Sequence, residues 1–325
     1  MTDWQIYRGT GEPHDGIDRL PPAPPWREFD GEPVLDPPRG GAFVPRRLGD
    51  QRRASAYRGH PDEVDMVNSA LLLRRPLLVT GKPGTGKSTL AYAIAHELRL
   101  GPVLRWPITS RSTLLDGLYH YNAIRRVEDA SLGQPLDIGR YLRLGPLGTA
   151  LLPYGRPRVL LIDELDKADL DLPNDLLNLF EEGDFEIPEL SRLADTRPEL
   201  SVATADGERV SVRDGQIRCH AFPVVVVTSN GEREFPPAFM RRCLQLPLRP
   251  PDSARLAEIV HAHLGPEAAA RSTELIHRFL DRAQYGDLAT DQLLNAIYVS
   301  MNVPAEEGVD QERLTGLVLH HLTSS

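Results

Sequence analysis

The chain has 325 residues, 41% of them hydrophobic, which is enough for one large or two medium cores and excludes disorder of the whole. A net charge of −9 and a pI near 5.6 exclude a protein whose main work is to coat nucleic acid, since that needs a basic face. Two cysteines, Cys219 and Cys243, are too few for a disulfide framework and lack metal-ligand spacing; with no apolar run near the roughly 20 residues that span a bilayer, the expectation is a soluble, cytoplasmic protein.

Nine of the 29 prolines fall in the first 50 residues, including Pro21-Pro22, Pro24-Pro25 and Pro37-Pro38, so this stretch should run extended rather than as helix or central strand. Trp4, Tyr7, Leu20, Trp26 and Phe29 punctuate it, which favours an arm packed on the body or on a neighbouring subunit over a solvated tail. From Pro61 to Leu73, Val64, Val67, Ala70 and Leu71 have helical spacing. Tyr57 and Val64 lie just upstream of the next motif and either cover what that motif binds or pack in the core.

The apolar run Leu77 to Val79 reads as a buried strand that breaks into glycines before the helical pattern Leu90, Ala91, Ala93, Ile94, Ala95, Leu98. Between them Gly81-Lys82-Pro83-Gly84-Thr85-Gly86-Lys87-Ser88 fits G-x-x-x-x-G-K-[ST], in the strand-loop-helix context that gives this motif its meaning. Small residues let backbone N–H groups wrap phosphates, and the helix start adds its partial positive charge. Gly81, Pro83, Gly84, Thr85, Gly86, Lys87, Ser88 and Thr89 are therefore candidates for binding nucleotide phosphates, Lys87 against the β- and γ-phosphates and the Ser88 hydroxyl on Mg²⁺. The chain has three lysines, Lys82, Lys87 and Lys167, against 34 arginines, so a lysine at the phosphate position reads as a chemical requirement.

The helix should stop near Leu100-Gly101. Val103 to Thr109 reads as a strand whose Pro107 hints at an exposed end, and Ser112 to Ile124 as a helix starting at Ser112 or Thr113. Residues 123 to 152 are broken by Gly133, Pro135, Gly139, Gly145 and Gly148 and carry Arg125, Arg126, Arg140 and Arg143 beside Tyr119, Tyr121 and Tyr141. That stretch reads as an insertion, either a solvated loop or a hairpin that touches a partner.

Arg158-Val159-Leu160-Leu161-Ile162-Asp163-Glu164 describes a strand buried on both faces whose carboxyl end carries acids, where ligands sit in parallel α/β sheets. Asp163 is a candidate Mg²⁺ ligand and Glu164 a candidate base for the attacking water. Asn174 to Glu182 reads as a short helix, Asp184 to Ile187 as a strand, and Ala205-Asp206-Gly207-Glu208 as the turn between two alternating segments. Phe222 to Asn230 is another β-branched strand with polar groups at its end. Asn230 senses a γ-phosphate or holds water if this strand lies beside that of Asp163; the alternative is the Asn-Gly turn. Pro236 to Cys243 is a short helix closed by Arg241 and Arg242, either a solvated pair or a trans-acting arginine.

From Pro251 the pattern is helical, with helices expected at Asp252–Leu264, Pro266–Tyr285, Thr290–Asn302 and Ala305–Leu322. His261, His263, His320 and His321 fall there without the four-residue spacing and carboxylates of a metal pair.

The ordered set of phosphate loop, Asp163-Glu164, Thr228-Ser229-Asn230 and Arg241-Arg242 before a helical end resembles the AAA+ ATPases over about residues 55 to 325. Within them it is similar to the MoxR branch, whose insertion in helix 2 is matched by the wide gap between Lys87 and Asp163 and by Arg140 to Leu147, with a strand and a Gly-Pro turn. The resemblance implies an AAA+ αβα P-loop core with a parallel central sheet and a C-terminal helical lid. The implied division is a proline-rich arm at 1–54, a core at 55–250 with an insertion about 117–152 and a hairpin about 188–220, and a lid at 251–325. It implies ATP and Mg²⁺ as ligands, hydrolysis with Glu164 and Asn230 as catalytic residues, and Arg242, with Arg241 as neighbour, as the finger reaching an adjacent subunit's site. It also implies a homo-oligomeric ring, expected as a hexamer, and a client or adaptor protein of the kind bearing a von Willebrand factor A domain. Bacterial conflict or signalling systems are the implied setting. Thr290-Asp291-Gln292-Leu293 lacks the arginine that many relatives place in the lid. The insertion's near-balanced charge argues against the alternative of a nucleic-acid-stimulated NTPase; a slow nucleotide-dependent assembly switch is a third reading.

Overall fold

The computed structural model describes residues 4–36, 54–133, 137–283 and 290–302. The helix expected at Ala305–Leu322, with His320 and His321, lies outside them, as do Pro37-Pro38 and Pro135. The strands, in chain order, are β1 (Leu77–Thr80), β2 (Leu104–Pro107), β3 (Tyr119–Tyr121), β4 (Leu142–Leu144), β5 (Val159–Asp163) and β6 (Asp184–Glu186). They continue with β7 (Glu199–Ala203), β8 (Arg209–Arg213), β9 (Gln216–Arg218), β10 (Val224–Ser229) and β11 (Leu244–Pro247).

The central sheet runs β11-β1-β10-β5-β2 with every neighbouring pair parallel. Its inner strands are unbroken runs of Leu, Val and Ile because both faces are covered, and β5 and β10 are buried at every position. The edge strand β2 alternates instead, with Leu104 and Trp106 in and Arg105 and Pro107 out. Pro107, which donates no backbone hydrogen bond, is tolerated there because β2 has a partner on one side only. Parallel strands collect their carboxyl ends on one edge of the sheet, so Thr80, Asp163 and Ser229 come together. β11 follows a stretch expected only as a helix and a boundary; its short Leu-Gln-Leu-Pro run is too brief to stand out in the sequence.

Two helices cover one face of this sheet. Pro61–Leu73 carries a capping box, in which the His60 side chain accepts from the first-turn backbone and Glu63 reaches back. Lys87–Glu97 ends three residues before the expected stop, with Leu98 and Leu100 still buried. On the other face, Leu78, Leu160, Ile162, Val225 and Val227 join one cluster with Trp106, Leu147 and Leu176.

A second sheet, β3-β4-β7-β8-β9-β6, joins pieces the sequence presents separately. The expected helix from Ser112 is only Leu114–Leu118, capped by Thr113, and then turns into β3, which pairs antiparallel with β4. Gly117 lies under the Trp106 ring, where a Cβ would sit 2.6 Å from a ring carbon, so this close approach needs glycine. β4 meets β7 at Arg143 and Ala203, so the insertion and the 199–213 hairpin are one sheet. The insertion is therefore neither a free loop nor a lone hairpin, and its helix Ala123–Ser131 buries no residue. The turn of the 199–213 hairpin is longer than a two-residue Asp-Gly turn: Thr204 N–H donates to Glu208 O across it.

The N-terminal arm lies on the body, with short 3₁₀ turns at Gly16–Arg19 and Pro25–Arg27 rather than extended chain throughout. Tyr7 is fully buried, Phe29 stacks on Phe222 at 5.2 Å, and the Trp4 and Trp26 side chains are exposed. Asn68 accepts the N–H groups of Ile6 and Tyr7 and donates to Tyr7 O. The C-terminal elements are Ser253–Leu264, Pro266–Arg271, Thr273–Ala283 and Thr290–Asn302 around Leu256, Val260, Phe279, Leu293 and Ile297. The expected helix Pro266–Tyr285 is two helices, broken at the buried Ser272, whose hydroxyl donates to Ala268 O. Among the described residues no helix is long and apolar enough to cross a membrane.

Candidate functional site

β1 hands over to helix Lys87–Glu97 through six residues whose path needs glycine. Gly84 and Gly86 have φ of 78° and 91°, and at Gly81 (φ 156°) a Cβ would meet Leu248 O at 2.9 Å and Thr85 Oγ1 at 3.1 Å. Gly86 precedes the helix without a side-chain cap, so the first-turn N–H groups remain free to receive an anion. Lys87 is nearly buried and its Nζ donates to Gly81 O (2.7 Å) and Lys82 O (2.9 Å), which holds the ammonium inside the loop. Burial pulls its pKa below the ordinary lysine value, while Asp166, Glu164 and Asp163 pull the other way.

Asp163 ends β5 between β10 and β2. Its Oδ1 accepts from Ser88 Oγ (2.7 Å) and Thr228 Oγ1 (2.9 Å), and its Oδ2 from Arg105 Nε (3.0 Å) and Nη2 (2.6 Å). Burial pushes this carboxyl up, but the hydrogen bonds from Ser88, Arg105 and Thr228 outweigh it and hold the pKa below the ordinary range. Glu164 follows in the left-handed region (φ 64°), with its N–H on Thr228 Oγ1 (2.8 Å). Its half-exposed side chain takes a hydrogen bond from Lys167 Nζ at 2.6 Å. Asn230 sits just past β10, and its N–H, with that of Glu232, donates to the buried Asp166 Oδ2 (2.9 and 3.2 Å).

These groups line one cleft of about 470 Å³: Pro83 to Thr89, Asp163, Glu164, Thr228 and Asn230 are all on its wall. Gly81 is not, and takes part through its carbonyl on Lys87. An ammonium, a free helix start, a hydroxyl beside a carboxylate, a second carboxylate and a neutral amide in one cleft can bind a polyphosphate with a divalent ion and direct a water at it. The donor set fits Mg²⁺, since Ser88 Oγ and Asp163 supply hard oxygen ligands side by side.

The far end of the cleft is closed by Tyr57 and by helical residues beyond 250. Tyr57 OH donates to Glu63 Oε2 (2.8 Å), and Arg255 lies over the Tyr57 ring at 5.3 Å with Nη2 3.3 Å from the same Glu63 oxygen. Val64 is in the core beneath instead. Thr290 Oγ1 donates to Gly84 O (2.8 Å), so the helix lacking an arginine still touches the phosphate loop. Arg255, on the first of those helices, lines the cleft, as do Arg58 and Arg249.

Arg241 and Arg242 do not line this cleft. They close the helix Pro237–Arg242, where Arg241 is exposed and Arg242 Nε donates to Glu181 Oε1 at 2.7 Å. The sequence assigns no role to Arg105, Asp166, Lys167, Thr228 or Arg255. Asp166 and Lys167 carried a signal, lying two and three residues past Glu164, and Lys167 is one of three lysines. Arg105 and Arg255 are recognised only from the strand order and the helix docking.

A family model described as AAA domain (dynein-related subfamily) matches residues 76–243, just over half of the chain. No curated protein matches it. Among solved structures, that of C. elegans PCH-2 overlays at 15% sequence identity, covering 77% of this chain and 62% of that one, with a TM-score of 0.38. The chain thus spans less than two thirds of that structure's length.

Proposed function

Because the chain belongs to the AAA domain family, in its dynein-related subfamily, we propose that it is a Mg²⁺-dependent ATPase that works as a ring of identical subunits on a partner protein. The observation that carries this is the convergence of Lys87, Ser88, Asp163, Glu164 and Asn230, from three parallel strands and their loops, on one cleft. In this reading the loop from Gly81 to Thr89 wraps the phosphates, and Lys87 turns from the loop carbonyls to the β- and γ-phosphates. Ser88 Oγ and, directly or through water, Asp163 would hold Mg²⁺, which would supply charge to neutralise the phosphate oxygens. Glu164, released from Lys167, accepts a proton from the attacking water, and Asn230, fixed by Asp166, orients that water or a γ-phosphate oxygen.

Arg242, with Arg241 beside it, is assigned to the cleft of the adjoining subunit, which is supported by both lying outside their own. The proposed division is an arm at 1–54, a core at 55–250 and a lid at 251–325, the lid reporting on the nucleotide through Arg255 and Thr290. A MoxR-like role as a cytoplasmic remodelling motor, in a six-membered ring with a client or adaptor bearing a von Willebrand factor A domain, is the finer form of the proposal. Its support is the helix Ala123–Ser131, which projects Ile124 and Val127 into solvent from the second sheet. The deciding experiment measures phosphate release from ATP with Mg²⁺. The wild type should turn over; Glu164→Gln should bind mant-ATP as well and lose at least about a hundredfold in rate. Equal turnover by Glu164→Gln would overturn the assignment.

A further inference from the structure

Asp163 has both oxygens engaged, and one of its partners is a cation. β2 and β5 are in register with Pro107 beside Asp163 and Arg105 beside Leu161. Alternation along a strand therefore places Arg105 on the same face of the sheet as Asp163, two residues back. The guanidinium reaches forward with Nε and Nη2 onto Oδ2, while Ser88 and Thr228 hold Oδ1. The carboxylate is almost buried on the cleft wall, and the arginine that holds it is half-exposed.

We propose that Arg105 is a positioning residue that acts through Asp163, occupying the carboxylate's Oδ2 and so lowering the site's affinity for a divalent cation. This rests on the nucleotide-binding reading above. The two-pronged contact occupies the Oδ2 lone pairs that a metal-bound water would use. A unit positive charge and a divalent ion about 5 Å apart repel enough, even with water-like screening, to change affinity roughly tenfold. A surface ion pair with a merely structural role would predict the reverse on removal, a looser carboxylate and weaker metal binding.

The test uses the full chain as wild type, Arg105→Gln and Arg105→Lys. Mant-ADP binding in EDTA is measured first; Mn²⁺ is then titrated into the ADP-bound protein and followed by electron paramagnetic resonance. Arg105→Gln should bind Mn²⁺ roughly tenfold more tightly, and Arg105→Lys should stay near wild type because its charge remains. Arg105→Met, of similar length and equally uncharged, replaces Gln if that variant fails to fold and is judged by the same rule. Normal mant-ADP binding with unchanged or weaker Mn²⁺ affinity overturns the role of Arg105 alone. Failure of the wild type to bind mant-ADP overturns the nucleotide reading, and this proposal with it.

Discussion

Replacing Glu97 by glutamine should loosen the N-terminal arm from the body. The side chain is fully buried at the end of the phosphate-loop helix, and its two oxygens accept four backbone N–H groups: Arg8 (2.6 Å), Gly9 (3.1 Å), Thr10 (2.8 Å) and Gly11 (2.9 Å). His14 Nε2 lies 3.3 Å away on the same carboxylate. Glutamine keeps the volume but turns an NH₂ toward two of those donors and removes the charge that the others share. Hydrogen bonds to a charged acceptor contribute roughly 1.5–3 kcal/mol each, so four would sum to about 6–12 kcal/mol. The arm can peel away and rehydrate its N–H groups, however, which caps the loss near the roughly 3–5 kcal/mol typical of breaking a buried charged contact. Urea denaturation should show that loss, and amides 8 to 11 should exchange with solvent much faster. The same change should weaken nucleotide binding, because Gly9 O accepts from Gly59 N–H (2.9 Å) and residues 56–58 line the cleft. A loss under about 1 kcal/mol with those amides still protected would refute the argument.

Lys87→Ala removes the ammonium held by the loop carbonyls and should weaken mant-ATP binding about tenfold to a hundredfold in a fluorescence titration, the effect of one charged hydrogen-bonding partner. Glu164→Gln and Arg242→Ala should each be inactive alone, and mixing them should restore some phosphate release; normal turnover by fully assembled Arg242→Ala would refute the trans assignment. Burial pushes the thiols of Cys219 and Cys243 up to about 12, against an ordinary 9. The unfolded chain therefore loses these protons at lower pH than the native one. The stabilisation that this provides is fully present below about pH 9 and lost as pH rises towards 12, which a series of urea midpoints across that window would detect. Neither thiol should react with a disulfide reagent at neutral pH before unfolding.

The phosphate loop and Asp163-Glu164 were legible because each packs its chemistry into a few contiguous residues beside an apolar run. Asn230 was legible once two such runs were expected side by side, and β10 does pair with β5. Pairing across distance was not legible. The hydrogen-bond partners of β4 lie at 119–121 and near 203, and nothing local in Leu142-Arg143-Leu144 states that. The helical spacing after Ser112 gives way at Leu118 because Tyr119–Tyr121 pairs with β4, a tertiary contact overriding propensity. Arg105 carries no signal of its own within its strand; only the order β5-β2 makes it a partner of Asp163.

The distribution of lysine has a practical consequence. Lys87 lines the cleft, Lys82 is in the same phosphate loop and Lys167 rests on Glu164 of the cleft wall, so in a chain otherwise supplied with arginine each side-chain amine lies in or next to the site. An amine-reactive ester, or an acyl-phosphate derivative of ATP, would find no other primary amines except the terminal one. Ordinary lysine labelling followed by peptide mapping would then behave as an active-site footprint, with no need to engineer a reporter into the protein.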